Sequence, residues 1–343
     1  MKRVLAAIVI WAMVMALLVG VGFGFQWLQK SWQQPVVDTD TEFEIHSGMS
    51  MKQIAAQLHE LNPDMPNEFI EFTAKLTGRA TRMQAGVYQI PAGATLDEIL
   101  TRFASGDVIV RYISLPEGYT VAQALERIWA NEHIEKTLDA DSPEEVIKAL
   151  GLEVTSLEGW LFPDTYQIST NTTDESLIRR AHQRMKTILE SVWAERDPES
   201  VLQDPYEALI LASIIEKETA IAHERPMVAG VFNNRLKIGM RLQTDPTVIY
   251  GMGDDFPGVL TREHLRIDTP HNTYTRDGLP PTPIALPSKA SLQAAVNPAK
   301  TDALYFVADG SGGHVFSRTF EEHNRAVARW RAFQREQRAN QGE

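Results

Sequence analysis

Cysteine is absent from the 343-residue chain, which removes disulfides, thiol nucleophiles and Cys-ligated zinc at once. A cysteine-free protein is at home in oxidising and reducing compartments alike, so this absence leaves location open. Positive charge is scarce: 33 Lys and Arg against 45 Asp and Glu give a formal charge of −12 and a pI near 5.3. With no basic block to replace counterions on phosphates, nucleic acid is not an expected partner. The nine histidines are scattered without H-E-x-x-H or comparable spacing, so neither a metal nor another cofactor is expected. Ser213 lies inside an apolar helical run and not in a G-x-S-x-G turn, which argues against a serine hydrolase. Gly310 to Gly313 fall between two apparent strands, where a phosphate loop would need a helix next, so they read as turn residues.

Apolar length is abundant at one end. Behind Met1, Lys2 and Arg3, a cytoplasmic tip, residues 4–25 form an uncharged stretch of 22 residues, long enough for a transmembrane helix and without a cleavage pattern after it. The leading cations favour an N-terminus inside, and Trp27 and Trp32 suit the interface. The expectation is a single-pass anchor with everything after a polar tether at 26–41 on the outer side of the membrane; in a bacterium the membrane is then the cytoplasmic (inner) one and the outer side is the periplasm.

Residues 42–110 read as a small α/β module, strand and turn followed by a helix with apolar Ile54, Ala55, Leu58 and Leu61, then a second strand, a Thr-capped helix and a stop at Gly106. The G-x-S-x-x-x-I-A-x-x-L spacing from Gly48 resembles LysM-type glycan-binding modules; a spacer without a ligand fits the same residues. Residues 111–155 read as a connecting subdomain, 156–335 as an α+β catalytic domain, and 336–343 as a tail.

Within 156–335, the run from Tyr206 to Thr219, YEALILASIIEKET, predicts a buried helix with Pro205 at its first position. It ends in Glu216 and Glu218, which a turn of about 200° sends to nearly opposite sides. Behind Glu218 lie Ile215, Ile214 and Leu211, against Ser213, Ala212 and Leu209 behind Glu216. The greasier setting disfavours a carboxylate and raises its pKa, as a general acid at neutral pH requires. Both glutamates could instead merely solubilise a helix end. The loops around this helix are rich in carboxylates, amides and aromatics, a set suited to carbohydrate: polar groups for hydroxyls and N-acetyl groups, ring faces for sugars, one acid for the glycosidic oxygen.

The order of motifs LEGWLFPDTY (157–166), ASIIEKET (212–219), VFNNRL (231–236), LQTDPTVIYG (242–251), NTY (272–274), GLPP (278–281), NP (297–298) and YFVADGSGGHVFS (305–317) resembles the YceG-like endolytic murein transglycosylases, the MltG type, over nearly the whole chain. In that family the second glutamate of A-S-I-[IV]-E-K-E is catalytic, which falls on Glu218. Thr282 departs from the small residue, often Gly, expected after GLPP. The resemblance implies cleavage of the β-1,4 bond between N-acetylmuramic acid and N-acetylglucosamine in peptidoglycan strands, a 1,6-anhydro product, and association with penicillin-binding proteins and wall-synthesis complexes. Gln243, Asp245, Asn272 and Tyr274 are then the expected polar wall beside Glu218, with Glu158, Asp164 and Tyr166 behind them as substrate-binding candidates. Each has a structural alternative: Asp245 as a helix cap, Asn272 in an Asx turn, Tyr166 in the core. Arg235 is expected to pin a neighbouring acid, and Glu216 to support its surroundings or face solvent. A hydrolytic muramidase and a non-catalytic wall-binding scaffold are the alternatives.

Overall fold

The computed structural model describes Trp11, Met13, Met15, residues 32–169 and residues 172–341. The protein is α+β and divides into two compact units after Arg111. The expected membrane span at 4–25 lies outside the described residues except for Trp11, Met13 and Met15, which are helical and exposed. Among the described residues no helix is long and apolar enough to cross a membrane.

In the first unit, β1 (Thr41–Ile45) pairs antiparallel with β2 (Gly86–Ile90), Phe43 opposite Tyr88. Helices α1 (Met51–Leu61), α2 (Asn67–Leu76) and α3 (Leu96–Ser105) complete the unit. Ser50 and Thr95 close capping boxes with Gln53 and Glu98, each satisfying N–H groups that a helix start leaves free. Gly106 ends α3 in the left-handed conformation, φ 72°, which a residue with a Cβ adopts at a cost. Phe43 stacks on Phe103 at 5.0 Å in the core, with Ile54, Ala55 and Leu58 of α1 around it, whereas Leu61 is exposed at the helix end. The tether is shorter than its polarity suggests. Val36 and Val37 are buried in this core, and the Val36 N–H donates to Ala94 O, because two β-branched side chains gain more from burial than from hydration.

In the second unit, β3 (Arg111–Ser114) pairs with β4 (Thr165–Ile168), and the helices α4 (Val121–Trp129), α5 (Pro143–Leu150) and α6 (Asp174–Ala194) share one apolar cluster with Leu157, Leu161 and Leu286. A boundary at 155 therefore cuts through a core: the expected connecting subdomain is packed into the expected catalytic domain. At the centre runs α7 (Pro205–Glu218), started by Asp204 and Pro205. Every residue from Ala208 to Ile215 is buried, the signature of a helix apolar all round. Around it lie α6, α8 (Arg225–Lys237), α9 (Asp245–Met252) and α10 (Lys289–Val296). The chain ends in the hairpin β5 (Tyr305–Ala308) and β6 (His314–Ser317) and in α11 (Phe320–Gln341).

Candidate active site

The two glutamates at the end of α7 meet different surroundings. Glu216 is only 5 % exposed at its side chain and is saturated: Oε1 pairs with Arg225 Nη2 at 3.1 Å, and Oε2 accepts from Ser288 N at 2.8 Å and Ser288 Oγ at 2.5 Å. It fastens the start of α8 and the loop before α10 to the central helix, with no capacity left for a ligand.

Glu218, the last residue of α7, is half-buried. Its Oε1 accepts a hydrogen bond from the Thr244 hydroxyl. Burial pushes its carboxyl up to about 7; Asp245 pushes the same way, while the Thr244 hydroxyl, His314 and Arg235 oppose it. Thr244 stands at the N-cap of α9 yet makes no side-chain capping bond to its helix, its hydroxyl being turned to Glu218. The turn that achieves this has Gln243 at φ 49°, the one positive-φ residue other than glycine among those described, held by Gln243 N to Thr273 O at 3.2 Å and Thr244 N to Thr273 Oγ1 at 3.1 Å. Left-handed backbone at a glutamine costs on the order of 1 to 3 kcal/mol, and the two loops together sustain it.

The expected polar wall is only partly a wall. Asp245 is the first residue of α9 and no cap; its exposed carboxylate accepts from the Tyr274 hydroxyl at 2.6 Å, beside Glu218. Burial first, then Asp245, pushes the Tyr274 phenol above its ordinary value, so it remains a donor. Gln243 has an exposed side chain on the same turn. Asn272 is fully buried and its carboxamide is spent on the loop, donating to Leu265 O and Ile267 O and accepting from Tyr274 N at 2.8 Å. It holds Tyr274 and Thr273 in place. Thr282 donates to its neighbour Pro283 O at 2.9 Å and lies 2.8 Å from His271 Nε2.

The three candidates from LEGWLFPDTY sit elsewhere. Tyr166 is a core residue whose hydroxyl donates to Phe162 O at 2.6 Å, and Asp164 is paired with Arg184. Glu158 is buried, accepting from Val121 N at 2.9 Å and Tyr250 Oη at 3.2 Å. Burial pushes it up to about 7 as well, but its two oxygens are committed to the start of α4 and to α9. Arg235 does not pin an acid by contact: it donates to Leu304 O at 2.7 Å and Leu242 O at 2.5 Å, which places its buried charge near Glu218.

Two groups near Glu218 went unmarked by the sequence. Thr244 lies within LQTDP, where a threonine before Asp-Pro reads as a helix cap. Glu224 and His314 form a pair, Oε2 to Nδ1 at 2.7 Å, with His314 N donating to Glu224 Oε1 at 2.8 Å. Both letters stand in recognisable motifs, ERP and HVFS, but only the fold joins them. Among the described residues no grouping of acids and histidines could hold a metal.

A family model described as the YceG-like family matches residues 43–329. The chain is 34 % identical over 322 residues to the endolytic murein transglycosylase of Bacillus subtilis, covering 88 % of each protein. It is 28 % identical to the endolytic murein transglycosylase of Streptococcus pneumoniae, covering 95 % of this chain and 65 % of that one. The crystal structure of a YceG-like protein from Listeria monocytogenes matches with a TM-score of 0.52 at 30 % identity, over 83 % of this chain and 98 % of that one.

Proposed function

The chain belongs to the YceG-like family, and on that premise we propose that it is an endolytic murein transglycosylase whose reaction is run by Glu218. The observation that carries the chemistry is one carboxyl, raised to about 7 by burial, on a residue that keeps part of its surface exposed. At neutral pH a large fraction is protonated, and its conjugate base is a competent proton acceptor. Glu218 gives its proton to the glycosidic oxygen as the muramyl C1–O bond breaks. An oxocarbenium-like centre results, and the Glu218 carboxylate removes the C6 hydroxyl proton as O6 bonds to C1. Protons balance and no water is consumed. Acid–base assistance of this kind contributes about 10² to 10⁴-fold, with positioning supplying more. Asp245 and Tyr274 lie beside Glu218 and are the groups that would meet sugar hydroxyls and the N-acetyl group, with the exposed Gln243 amide on the adjoining turn.

The placement of the enzyme is part of the proposal. The apolar run at 4–25 anchors it in the inner membrane with the catalytic unit in the periplasm, its LysM-like first unit binds glycan, and association with penicillin-binding proteins lets it terminate nascent strands. The run length, the leading cations and the spacing from Gly48 support this reading.

A hydrolytic muramidase is the second reading, favoured by Asp245, a second carboxylate near Glu218. The test is mass spectrometry of products from polymeric glycan in ¹⁸O-water, wild type against Glu218→Gln. Anhydro-muramyl ends lost in the variant are expected; labelled reducing ends would overturn the transglycosylase in favour of the hydrolase.

A further inference from the structure

Between its two proton transfers Glu218 must exist as a carboxylate, in surroundings that burial makes hostile to charge and beside the acidic Asp245. Something must hold that charge until the C6 proton arrives. Of the nearby cations, Arg235 is tied to Leu304 O and Leu242 O. The other is His314. Its Nδ1 faces Glu224 Oε2 at 2.7 Å, its main-chain N–H donates to Glu224 Oε1 at 2.8 Å, and the Thr219 hydroxyl, on the residue after Glu218, donates to Glu224 Oε2 at 3.4 Å.

The pair is built with care for its geometry. Glu224 is 7 % exposed, and its bonds to His314 outweigh burial and keep it below the usual carboxylate range, hence ionised. The imidazole is wedged edge-on to Phe306 at 5.4 Å and flanked by Phe316. A Cβ at Gly313 would lie 2.8 Å from Glu224 Oε1, so a side chain there would push the carboxylate away from the hairpin. The ring keeps one free corner: Nε2 has no hydrogen-bond partner among the described residues, and the side chain is 16 % exposed.

We propose that His314, held by Glu224, is the positioning residue that stabilises Glu218 as a carboxylate between the two halves of the reaction. The inference rests on the single-acid reading above. Glu224 fixes the proton on Nδ1, as a carboxylate behind a catalytic or ligating imidazole commonly does, and through Thr219 the pair is tied to the residue next to Glu218, whose ionised form a charged His314 favours. The charged groups around this pair are Glu218 and Asp245, Arg235 of α8, and Asp309 in the hairpin turn, which accepts from Ser311 and Gly313. Only His314 and Arg235 are cations among them, and only His314 has an uncommitted edge.

The sign follows from charge. A positive His314 favours the ionised form of Glu218, so its removal raises the pH at which Glu218 gives up its proton. The full-length enzyme is assayed for kcat and KM on polymeric glycan across pH 5 to 9 as wild type, His314→Gln, Glu224→Gln and Glu218→Gln, with melting curves for each. In His314→Gln the alkaline limb moves up by about half a pH unit or more, kcat at neutral pH falls about tenfold, and KM changes little. Glu224→Gln, which keeps an acceptor oxygen for only one of the two His314 N–H groups and turns a donor towards the other, moves the same way and carries the test if His314→Gln does not fold. Added imidazole restores part of the rate in His314→Ala. A limb that stays put, with activity falling only in step with the folded fraction, makes the pair a structural pin and overturns the inference alone. Wild-type turnover in Glu218→Gln overturns both it and the single-acid reaction.

Discussion

Glu218 is costly to the fold at the pH where it is useful, and its replacement measures that cost. Its pKa rises from 4.5 to about 7 in the native state. Each tenfold change in proton affinity is worth about 1.4 kcal/mol, so the difference amounts to about 3 kcal/mol. For a carboxyl raised in the native state, the native protein holds the proton longer than the unfolded chain. The stability this gives is fully present below the unfolded value near 4.5 and is lost as pH climbs through about 7. In Glu218→Gln the amide does not titrate, it keeps an acceptor for the Thr244 hydroxyl, and it removes the repulsion from Asp245. The variant is therefore expected to gain on wild type by about 2 kcal/mol or more between pH 5 and pH 8, reaching a plateau above pH 7. Urea unfolding followed by tryptophan fluorescence reads the right unit, since Trp129, Trp160, Trp193 and Trp330 all lie in it. Glu158 titrates in the same window but is present in both proteins, so it cancels in the difference. A stability difference that is flat across pH would refute the burial of Glu218 as the source of its raised pKa.

Thr244→Val removes the hydroxyl that favours the Glu218 carboxylate while keeping the side-chain shape. Because hydrogen bonds to charged groups are worth about 1.5 to 3 kcal/mol, the alkaline limb of the pH–rate profile should move up by about one unit, and an unmoved limb would count against the contact. Glu216→Ala leaves the buried Arg225 with only the longer Glu117 contact at 4.0 Å and should destabilise the protein by about 3 kcal/mol in urea titrations. The folded fraction should keep its alkaline limb in place; a limb that moves would assign Glu216 to the chemistry.

What the sequence made legible was largely local. Ser50, Thr95 and Thr120 announce helix starts because their hydroxyls reach N–H groups three residues on, and Pro205 because a missing donor does no harm at a first helical position. The pairings across long stretches of chain were not legible. Val36 and Val37 look like part of a polar tether until Ala94 offers a backbone partner and the Phe43 cluster offers burial. Likewise β3 looks like the start of a connector until β4 and Leu286 close over it. Such choices depend on surfaces distant in sequence, which no local pattern encodes.

The site divides along the same line. Helical geometry alone separates Glu216 from Glu218 and puts the second on the greasier side, because the direction of a Cβ depends only on its own helix. The structure places Glu216 in a saturated ion pair and Glu218 in a single hydroxyl contact, a difference in kind that two residues of spacing create. The flanking residues of LQTDP attract attention as amide and acid, yet the left-handed turn at Gln243 sends that amide outward and gives the inward position to Thr244. The site of Glu218 at the last turn of α7 has its own logic. Unsatisfied carbonyls gather at a helix C-terminus and disfavour a carboxylate there, typically by 0.3 to 1 kcal/mol, the same direction as burial and as Asp245. Three unfavourable terms thus hold Glu218 near neutrality as an acid. Against them, the Thr244 hydroxyl and the nearby cations keep its conjugate base accessible, and a group that must be acid and then base at one pH needs that opposition on both sides.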